Sequence, residues 1–408
     1  MSTLSVTCPP APLLAGEVNI TEFDCNSVSP VYLIEAGQRR WRVGQTVKEV
    51  LQSADGLHDP EAIGRAVSAS LGRALGAGEV ERILAWATAE GLLAGTTAPK
   101  RRMLSGRAER IFLRTPLLNG DQLAAVSRWG AHLINWPTAL GVMAAAIAAR
   151  LLIYPGMLTA TIAGGRSAVD WGLFLLMGLG LGLAHELGHG SATVRFGRRP
   201  GNMGVAFYLI YPVFYSDVSS VWVLPRSQRA VVDAAGAYFQ TAFSTACLLA
   251  YYWWPSPTLL WTAILSDYSM LMIMNPFLKM DGYWMLSDLT GLPNLRSQSN
   301  KALGSLFAPH RWRRPPVPEA GLWILRIYGV LTIGFFGWIG FLLVRSLQSG
   351  ATERWAALIQ AGLPRLLGGD WSALPELLVG LGPAIGLLAG SLLGLVQLGA
   401  TIFRSKFS

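Results

Sequence analysis

The sequence predicts a polytopic α-helical membrane protein with about six transmembrane helices, preceded by a small N-terminal α+β domain. Composition is the first reason: 52% of the 408 residues are hydrophobic and only 14% are charged, and the mean hydropathy is +0.39. The second reason is that apolar segments near the length of a bilayer core recur after residue 133. These observations divide the chain into an N-terminal tail (1–27), a soluble domain (28–97), a basic amphipathic connector (98–132) and a membrane domain (133–408).

Residues 28–97 predict two strands followed by three short helices, which together form a winged-helix-like unit. The strands are 31–36 and 40–43, with Gly37 at the turn between them. Asp59 and Pro60 start the second helix. Seven basic residues stand against eight acidic ones between positions 28 and 95. Because binding to DNA needs a basic surface, this charge predicts no nucleic-acid partner.

The small motifs of this domain resemble the PqqD-like fold. They are Val43-Gly44 after the second strand, Asp55-Gly56, and Gly91-Leu92 near the end. The resemblance implies recognition of the leader of a ribosomally made, modified peptide, which would add as a strand to an exposed sheet edge. A structural cap or a general interaction domain stays open as an alternative. The three cysteines lie at unrelated spacings and predict no disulfide framework.

The connector is basic, which predicts contact with anionic lipid directly before the membrane domain. Six spans follow at roughly 133–154, 168–190, 231–254, 258–278, 328–344 and 378–402. The loops after the second and fourth spans and the C-terminal tail are rich in Lys and Arg. The positive-inside rule then predicts a multi-pass protein of the cell inner (plasma) membrane with both termini in the cytoplasm.

The segment 171–190 is apolar but ends in the HExxH pattern, at His185, Glu186 and His189. On a helix, residues four apart share a face, so the two histidines can bind one metal ion and Glu186 can serve as general base. A catalytic zinc needs a third protein ligand. Asp281 is the preferred candidate, because Pro276 ends an apolar helix nearby. Asp267 stays open as a rival ligand or as a hydrogen-bond partner of a ligand histidine.

The HExxH helix, followed by Asn275-Pro276 and then Asp281-Gly282, resembles the site-2 protease family of intramembrane zinc metalloproteases. Residues 277–280 depart from the common family signature toward the subgroup of peptide zinc metalloproteases. The resemblance implies that His185, His189 and Asp281 bind Zn²⁺, that Glu186 is the catalytic base, and that Asn275 contacts the substrate backbone. It also implies that the β-prone segment between residues 201 and 224 holds an extended substrate beside the site.

The two resemblances together imply a zinc metalloendopeptidase that removes the leader from a modified peptide precursor. Its partners would be a peptide or single-pass membrane substrate, the lipid bilayer, and possible peptide-modifying enzymes or a transporter. Two alternatives stay open: a peptide-export or immunity component with an idle zinc site, and regulated intramembrane proteolysis of a signalling protein.

Overall fold

The computed structural model describes residues 11–37, 39–96, 111–163, 171–208, 211–307 and 315–370, together with positions 373, 377 and 381. The chain divides into two compact units, Met1–Leu292 and Pro293–Ser408. The first unit contains an N-terminal module and a helical core, and the second unit contains a group of helices.

The N-terminal module is a three-stranded antiparallel sheet covered on one face by three helices. In the sheet order β1-β2-β3, the strands are β1 (Val18–Glu22), β2 (Val31–Ala36) and β3 (Arg39–Gly44). The helices are α1 (Gln45–Gln52), α2 (Pro60–Leu71) and α3 (Ala77–Ala89). The Asp59 side chain caps α2 by accepting a hydrogen bond from the amide of Ala62.

Strand β1 lies in the segment that the sequence analysis assigns to a tail. Val18 and Ile20 of this strand pack against the module's apolar core, which includes Ile34 and Leu84. Two apolar residues at alternating positions form too short a pattern to predict a strand, so β1 emerges only from its pairing with β2.

The helical core of the first unit surrounds a second three-stranded sheet, in the order β4-β5-β6. Its strands are β4 (Ile111–Leu118), β5 (Met203–Tyr208) and β6 (Tyr211–Ser216). Its helices are α4 (Gly120–Ala131), α5 (Trp136–Ala163), α6 (Trp171–Arg195), α7 (Arg226–Trp253), α8 (Pro257–Ile273) and α9 (Asp281–Thr290), with a short 3-10 helix at Ser219–Val223. Helices α6 and α7 pack closely on each other. A Cβ at Gly188 of α6 would overlap the carbonyl group of Ala235 in α7, so the glycine allows this approach.

The second unit contains the helices α10 (Leu295–Phe307), α11 (Glu319–Gln348) and α12 (Ala351–Leu367). Helix α10 packs on α11 at Gly329, where the hydroxyl of Ser299 donates a hydrogen bond to the carbonyl oxygen of Leu325. The small residue at this crossing allows the two helices to approach closely.

The prediction of a six-span polytopic membrane protein is wrong. Among the described residues, two helices are long and apolar enough to cross a membrane, namely Trp136–Gly156 within α5 and Glu319–Gln348, which is α11. The predicted spans at 133–154 and 328–344 overlap these helices. Most of the predicted span at 378–402 lies outside the described residues.

The other three predicted spans fail for physical reasons that composition does not reveal. Helix α6 carries the buried polar side chains of the HExxH pattern and continues to Arg195. Helix α7 buries charged and amide side chains, including Arg229, Asp233 and Gln240. Helix α8 has only 17 residues, fewer than the roughly 20 that a bilayer core needs. Composition counts the apolar side chains of these helices, including exposed ones such as Leu175, Leu249 and Leu271, but it does not show the polar contacts that the helices make.

Candidate metal centre

The two histidines of the HExxH pattern lie one turn apart on α6 and face the same point. Their Nε2 atoms are 3.1 Å apart, and the ring centroids are 4.8 Å apart. Both residues are buried, with exposed fractions of 8% for His185 and 7% for His189. The structure therefore brings together the two side chains that the i, i+4 spacing predicts.

Asp281 reaches the histidines from the first position of α9. Its Oδ2 atom lies 2.8 Å from Nε2 of His185 and 3.2 Å from Nε2 of His189. Helix α8 ends at Ile273, and a tight turn then leads into α9. Within this turn, Oδ1 of Asn275 accepts a hydrogen bond of 2.8 Å from the amide of Phe277. A Cβ at Gly282 would overlap the backbone of Met274, so only glycine lets the start of α9 fold back onto the end of α8.

The group His185, His189 and Asp281 could hold a metal ion, since their ligand atoms all lie within 4.8 Å of one another. Gly236 of α7 provides a second observation in favour of this. A Cβ at this position would lie 2.5 Å from Nε2 of His189 and 2.6 Å from Nε2 of His185. Helix α7 thus passes the convergence point without a side chain and leaves room there. Two imidazole nitrogens and a carboxylate oxygen form a donor set that suits a divalent transition metal.

Nδ1 of each ring, the nitrogen that does not face Asp281, also has a hydrogen-bond partner. Nδ1 of His189 donates to the backbone carbonyl of Val232 at 2.8 Å, because a carbonyl oxygen can only accept. In the neutral imidazole this places the lone pair of His189 on Nε2, the atom that faces Asp281. Nδ1 of His185 lies 3.0 Å from the side-chain oxygen of Gln240. Such partners of the second ring nitrogen orient metal-binding histidines in proteins.

The charges of the three groups reinforce one another. Burial opposes a charge on the His189 imidazole, but the Asp281 carboxylate outweighs this effect and raises the pKa of His189 to about 9. Burial likewise opposes a charge on Asp281, and the two imidazoles outweigh it and hold the pKa of that carboxyl far below its usual range. The Asp281 carboxylate therefore favours a positive charge beside it, which a bound cation would supply.

Glu186 lies next to this centre and is bonded to the second sheet. The hydroxyl of Ser216, the last residue of β6, donates a hydrogen bond of 2.7 Å to Oε2 of Glu186. Strand β6 reaches this position because α6 has a glycine beneath it: a Cβ at Gly182 would overlap the ring of Phe214. Ser216 lies in the β-prone segment between residues 201 and 224 that the sequence places beside the site, but the sequence predicted no role for this side chain.

The metal-binding group and Glu186 line a cavity of about 500 Å³. One wall is strand β6 with the residue that follows it, and the others come from the 3-10 helix and from α7, α8 and α9. Most of the lining surface is apolar, and its basic and acidic side chains are those of Arg114, Lys279, Glu186, Asp217, Asp233 and Asp281. A site with this lining can receive an apolar chain and present its backbone to the polar group of the metal-binding residues.

The remaining candidates have other places in the structure. Asn275 is bonded within the turn before α9 and is not among the residues that line this cavity. Asp267 is not close to the histidines; it accepts hydrogen bonds from Arg150 and Tyr154 of α5. The open alternative of Asp267 as a rival ligand is therefore wrong. His58 is exposed and bonded to Asp55.

The N-terminal module contacts the helical core beside the cavity. Nη2 of Arg198 lies 3.1 Å from Oε1 of Glu35 in β2. Arg40 of β3 donates a hydrogen bond to the hydroxyl of Ser219, which lines the cavity. The guanidinium of Arg42 lies over the ring of Trp222, another lining residue. The face of the sheet that points away from α1–α3 is therefore occupied by the core.

Comparison with known proteins identifies no relative: no family model, no curated protein and no solved structure matches this chain.

Proposed function

We propose that the protein is a zinc-dependent endopeptidase of the site-2 protease type that hydrolyses peptide bonds of hydrophobic or membrane-associated peptides. The observation that carries this proposal is the convergence of His185, His189 and Asp281 beside Glu186 in the lining of a largely apolar cavity. Catalytic zinc sites in proteins commonly have three protein ligands of this kind and one position left for water or substrate.

The donor set supports zinc as the metal, because imidazole and carboxylate ligands together suit this ion. When bound, zinc supplies Lewis acidity to a water molecule and to the carbonyl of the scissile bond. Glu186 takes the proton that the attacking water loses and gives a proton to the amine that leaves as the C–N bond breaks. Ser216 orients the Glu186 carboxylate for this role through its bond to Oε2.

The position of strand β6 favours a substrate that binds in an extended conformation. Among the described residues it pairs with β5 on one side only, and its residues line the cavity from Val213 to Ser216. A peptide that adds to the other side of β6 gains backbone hydrogen bonds and passes beside Glu186. Because a helix offers no free backbone groups, an extended conformation is also the one in which a peptide bond is open to attack.

Exposed apolar faces support action at a membrane. Leu151 and Leu152 of α5 and Leu175 and Leu176 of α6 are largely exposed. Large apolar side chains exposed in groups on a helix mark contact with lipid or protein. Localisation to the cell inner membrane with both termini in the cytoplasm is part of the proposal. It is supported by the two helices among the described residues that are long and apolar enough to cross a membrane, and by the basic connector before the first of them, which the positive-inside rule places in the cytoplasm.

The proposal includes a peptide partner for the N-terminal module. One face of its sheet packs on α1–α3 and the other contacts the core, so a leader peptide would bind at a sheet edge. Arg40 and Arg42 place β3 next to Ser219 and Trp222 at the cavity. A peptide bound along β3 would therefore lie close to the proposed catalytic centre.

The test is the substitution Glu186→Gln in the full chain, co-expressed with a candidate precursor peptide. We expect bound zinc to be retained and cleavage, followed by mass spectrometry of the products, to be lost. Glu81→Gln, on the exposed face of α3, is the matched control and should cleave normally. Unchanged cleavage by the Glu186→Gln variant would refute the mechanism.

The same experiment separates the alternatives. If wild-type protein binds the peptide without cutting it, an export or immunity component with an idle zinc site is favoured. If it cuts a single-pass membrane protein but no precursor peptide, regulated intramembrane proteolysis is favoured.

A further inference from the structure

We propose that Gln240 is a positioning residue that fixes the tautomer and ring orientation of His185 and thereby sets the zinc affinity of the centre. This inference rests on the proposed zinc site but not on peptide hydrolysis.

Gln240 is a buried amide on α7, with an exposed fraction of 2%. It follows Gly236 by four residues, so the two lie on the same face of the helix, one turn apart. Its Oε1 atom lies 3.0 Å from Nδ1 of His185. A buried amide costs free energy unless its donors and its acceptor are all bonded, so its partners need explanation.

The orientation of the amide is determined by α8. Nε2 of Gln240 lies 2.7 Å from Oγ of Ser269 and 3.4 Å from the backbone carbonyl of Ser266. The carbonyl can only accept a hydrogen bond. The hydroxyl of Ser269 donates its own proton to the same Ser266 carbonyl, at 2.8 Å. It therefore accepts a hydrogen bond from the amide. Both contacts require the NH₂ group on this side, which directs the oxygen of Gln240 toward His185.

The amide oxygen can only accept, so Nδ1 of His185 must carry the proton. The lone pair of this imidazole is then on Nε2, which faces Asp281 at 2.8 Å. His189 reaches the same state through the backbone carbonyl of Val232, which no side-chain substitution removes. Among the contacts of the described residues, the tautomer of His185 is set by a side chain and that of His189 by a backbone carbonyl.

Helix α8, which orients the amide, is itself attached to α5. Asp267 follows Ser266 in α8 and faces α5, and its Oδ2 atom lies 2.9 Å from Nε of Arg150. The hydroxyl of Tyr154 donates to the same oxygen at 2.7 Å. The serines that bond to Gln240 thus lie on a helix whose position is fixed by these contacts. This helix in turn fixes the orientation of the Gln240 amide.

The experiment compares zinc affinities of full-length variants, measured by competition with a chromophoric chelator. Gln240→Met keeps the size of the side chain and loses the acceptor, so we expect affinity to fall by about 10- to 100-fold. Gln240→Glu keeps an acceptor for the Nδ1 proton but loses the donors to Ser266 and Ser269, so we expect its affinity to lie between those of the wild type and Gln240→Met. Ser269→Ala removes one of the contacts that orient the amide and should give a smaller loss than Gln240→Met.

Two controls separate orientation from folding. Gln52→Met, at an exposed position of α1, should bind zinc as the wild type does. Chelator-treated Gln240→Met should unfold at the same temperature as chelator-treated wild type.

The inference is overturned if Gln240→Met binds zinc as tightly as the wild type, or if folded Gln240→Glu is as weak as Gln240→Met. The proposed function stands in either case. If the wild-type protein binds no zinc, both the proposed function and this inference fall.

Discussion

Single residues determine the space that is available to a metal ion as well as the ligands that would bind it. Gly236 contributes no side chain, yet both Nε2 atoms converge on the space that its Cβ would fill. Gly188 lets α6 approach α7, and Gly282 lets α9 approach α8. Gly188 and Gly282 each lie where an element that carries a ligand meets a neighbour. The geometry of the centre therefore depends on missing side chains on α6, α7 and α9.

Gly236→Ala should abolish metal binding while the protein stays folded. The new methyl group would lie 2.5 and 2.6 Å from the two Nε2 atoms, so the rings must turn away from Asp281. We expect zinc, measured by elemental analysis of the purified protein, to fall from stoichiometric to background. Gly178→Ala is the matched control, because a Cβ there meets no atom within 4 Å. Normal zinc content in Gly236→Ala would mean that the ion binds elsewhere.

The sequence alone predicts the parts of the centre that have a fixed spacing. Two histidines four residues apart must share a face of any helix, so His185 and His189 follow from helix geometry. Asp281 lies 92 residues beyond His189 and could be preferred only through its Asn-Pro and Asp-Gly context. Gln240 belongs to no motif and Ser216 had no predicted role, because hydrogen bonds between distant elements leave no pattern in a single sequence.

At the scale of elements, the prediction of six spans fails because apolar composition does not show what a helix packs against. Helix α7 is apolar enough to resemble a span, but it is the helix around which the site is assembled. It carries Gly236, Gln240 and the carbonyl of Val232 on the side toward α6. Farther along, Ser244 and Thr245 accept hydrogen bonds from Arg150 of α5. Its polar residues are bonded inside the protein, an arrangement that average hydropathy does not reveal.

Arg150→Met should lower the apparent unfolding temperature, because it leaves Asp267 charged and without its guanidinium partner. The Arg150 and Asp267 side chains are 21% and 32% exposed. The cost in free energy of unfolding should therefore stay below the roughly 3–5 kcal/mol of a fully buried pair. Differential scanning fluorimetry of the full-length protein measures the effect.

The double variant Arg150→Met/Asp267→Leu should recover part of the loss, since no unpaired charge remains. Asp121→Asn, at an exposed position of α4, is the control and should change little. An unfolding temperature of Arg150→Met equal to that of wild type would show that the ion pair does not stabilise the contact of α5 with α8.

At the scale of the first unit, one buried arginine joins the N-terminal module to the helix that carries a metal ligand. Arg229 of α7 has an exposed fraction of 2%. Its Nε atom donates to Oδ1 of Asp288 near the end of α9, and Nη2 donates to the carbonyl of Asp24 between β1 and β2, both at 2.9 Å. Its guanidinium also lies over the ring of Phe23. The module and the centre are therefore connected through α9, which begins at Asp281.

Arg229→Leu should loosen the module without unfolding it, because the module has its own apolar core around Ile34 and Leu84. We expect faster amide hydrogen exchange, measured by mass spectrometry on the full chain, in the loop at residues 23–26 and at the end of α9. The core of the module should exchange as in wild type. Because α9 carries Asp281, the effect should reach the centre as weaker zinc binding.

Arg226→Leu is the matched control on the same helix. Its side chain is 46% exposed and lies 3.9 Å from the Asp24 carboxylate, while its backbone amide bonds to the same carboxylate whatever the side chain is. Exchange in the loop should therefore stay near the wild-type rate. If Arg229→Leu also leaves the loop protected, the contacts of Glu35 with Arg198 and of Arg40 with Ser219 suffice to hold the module, and α9 does not transmit its position to the metal ligand.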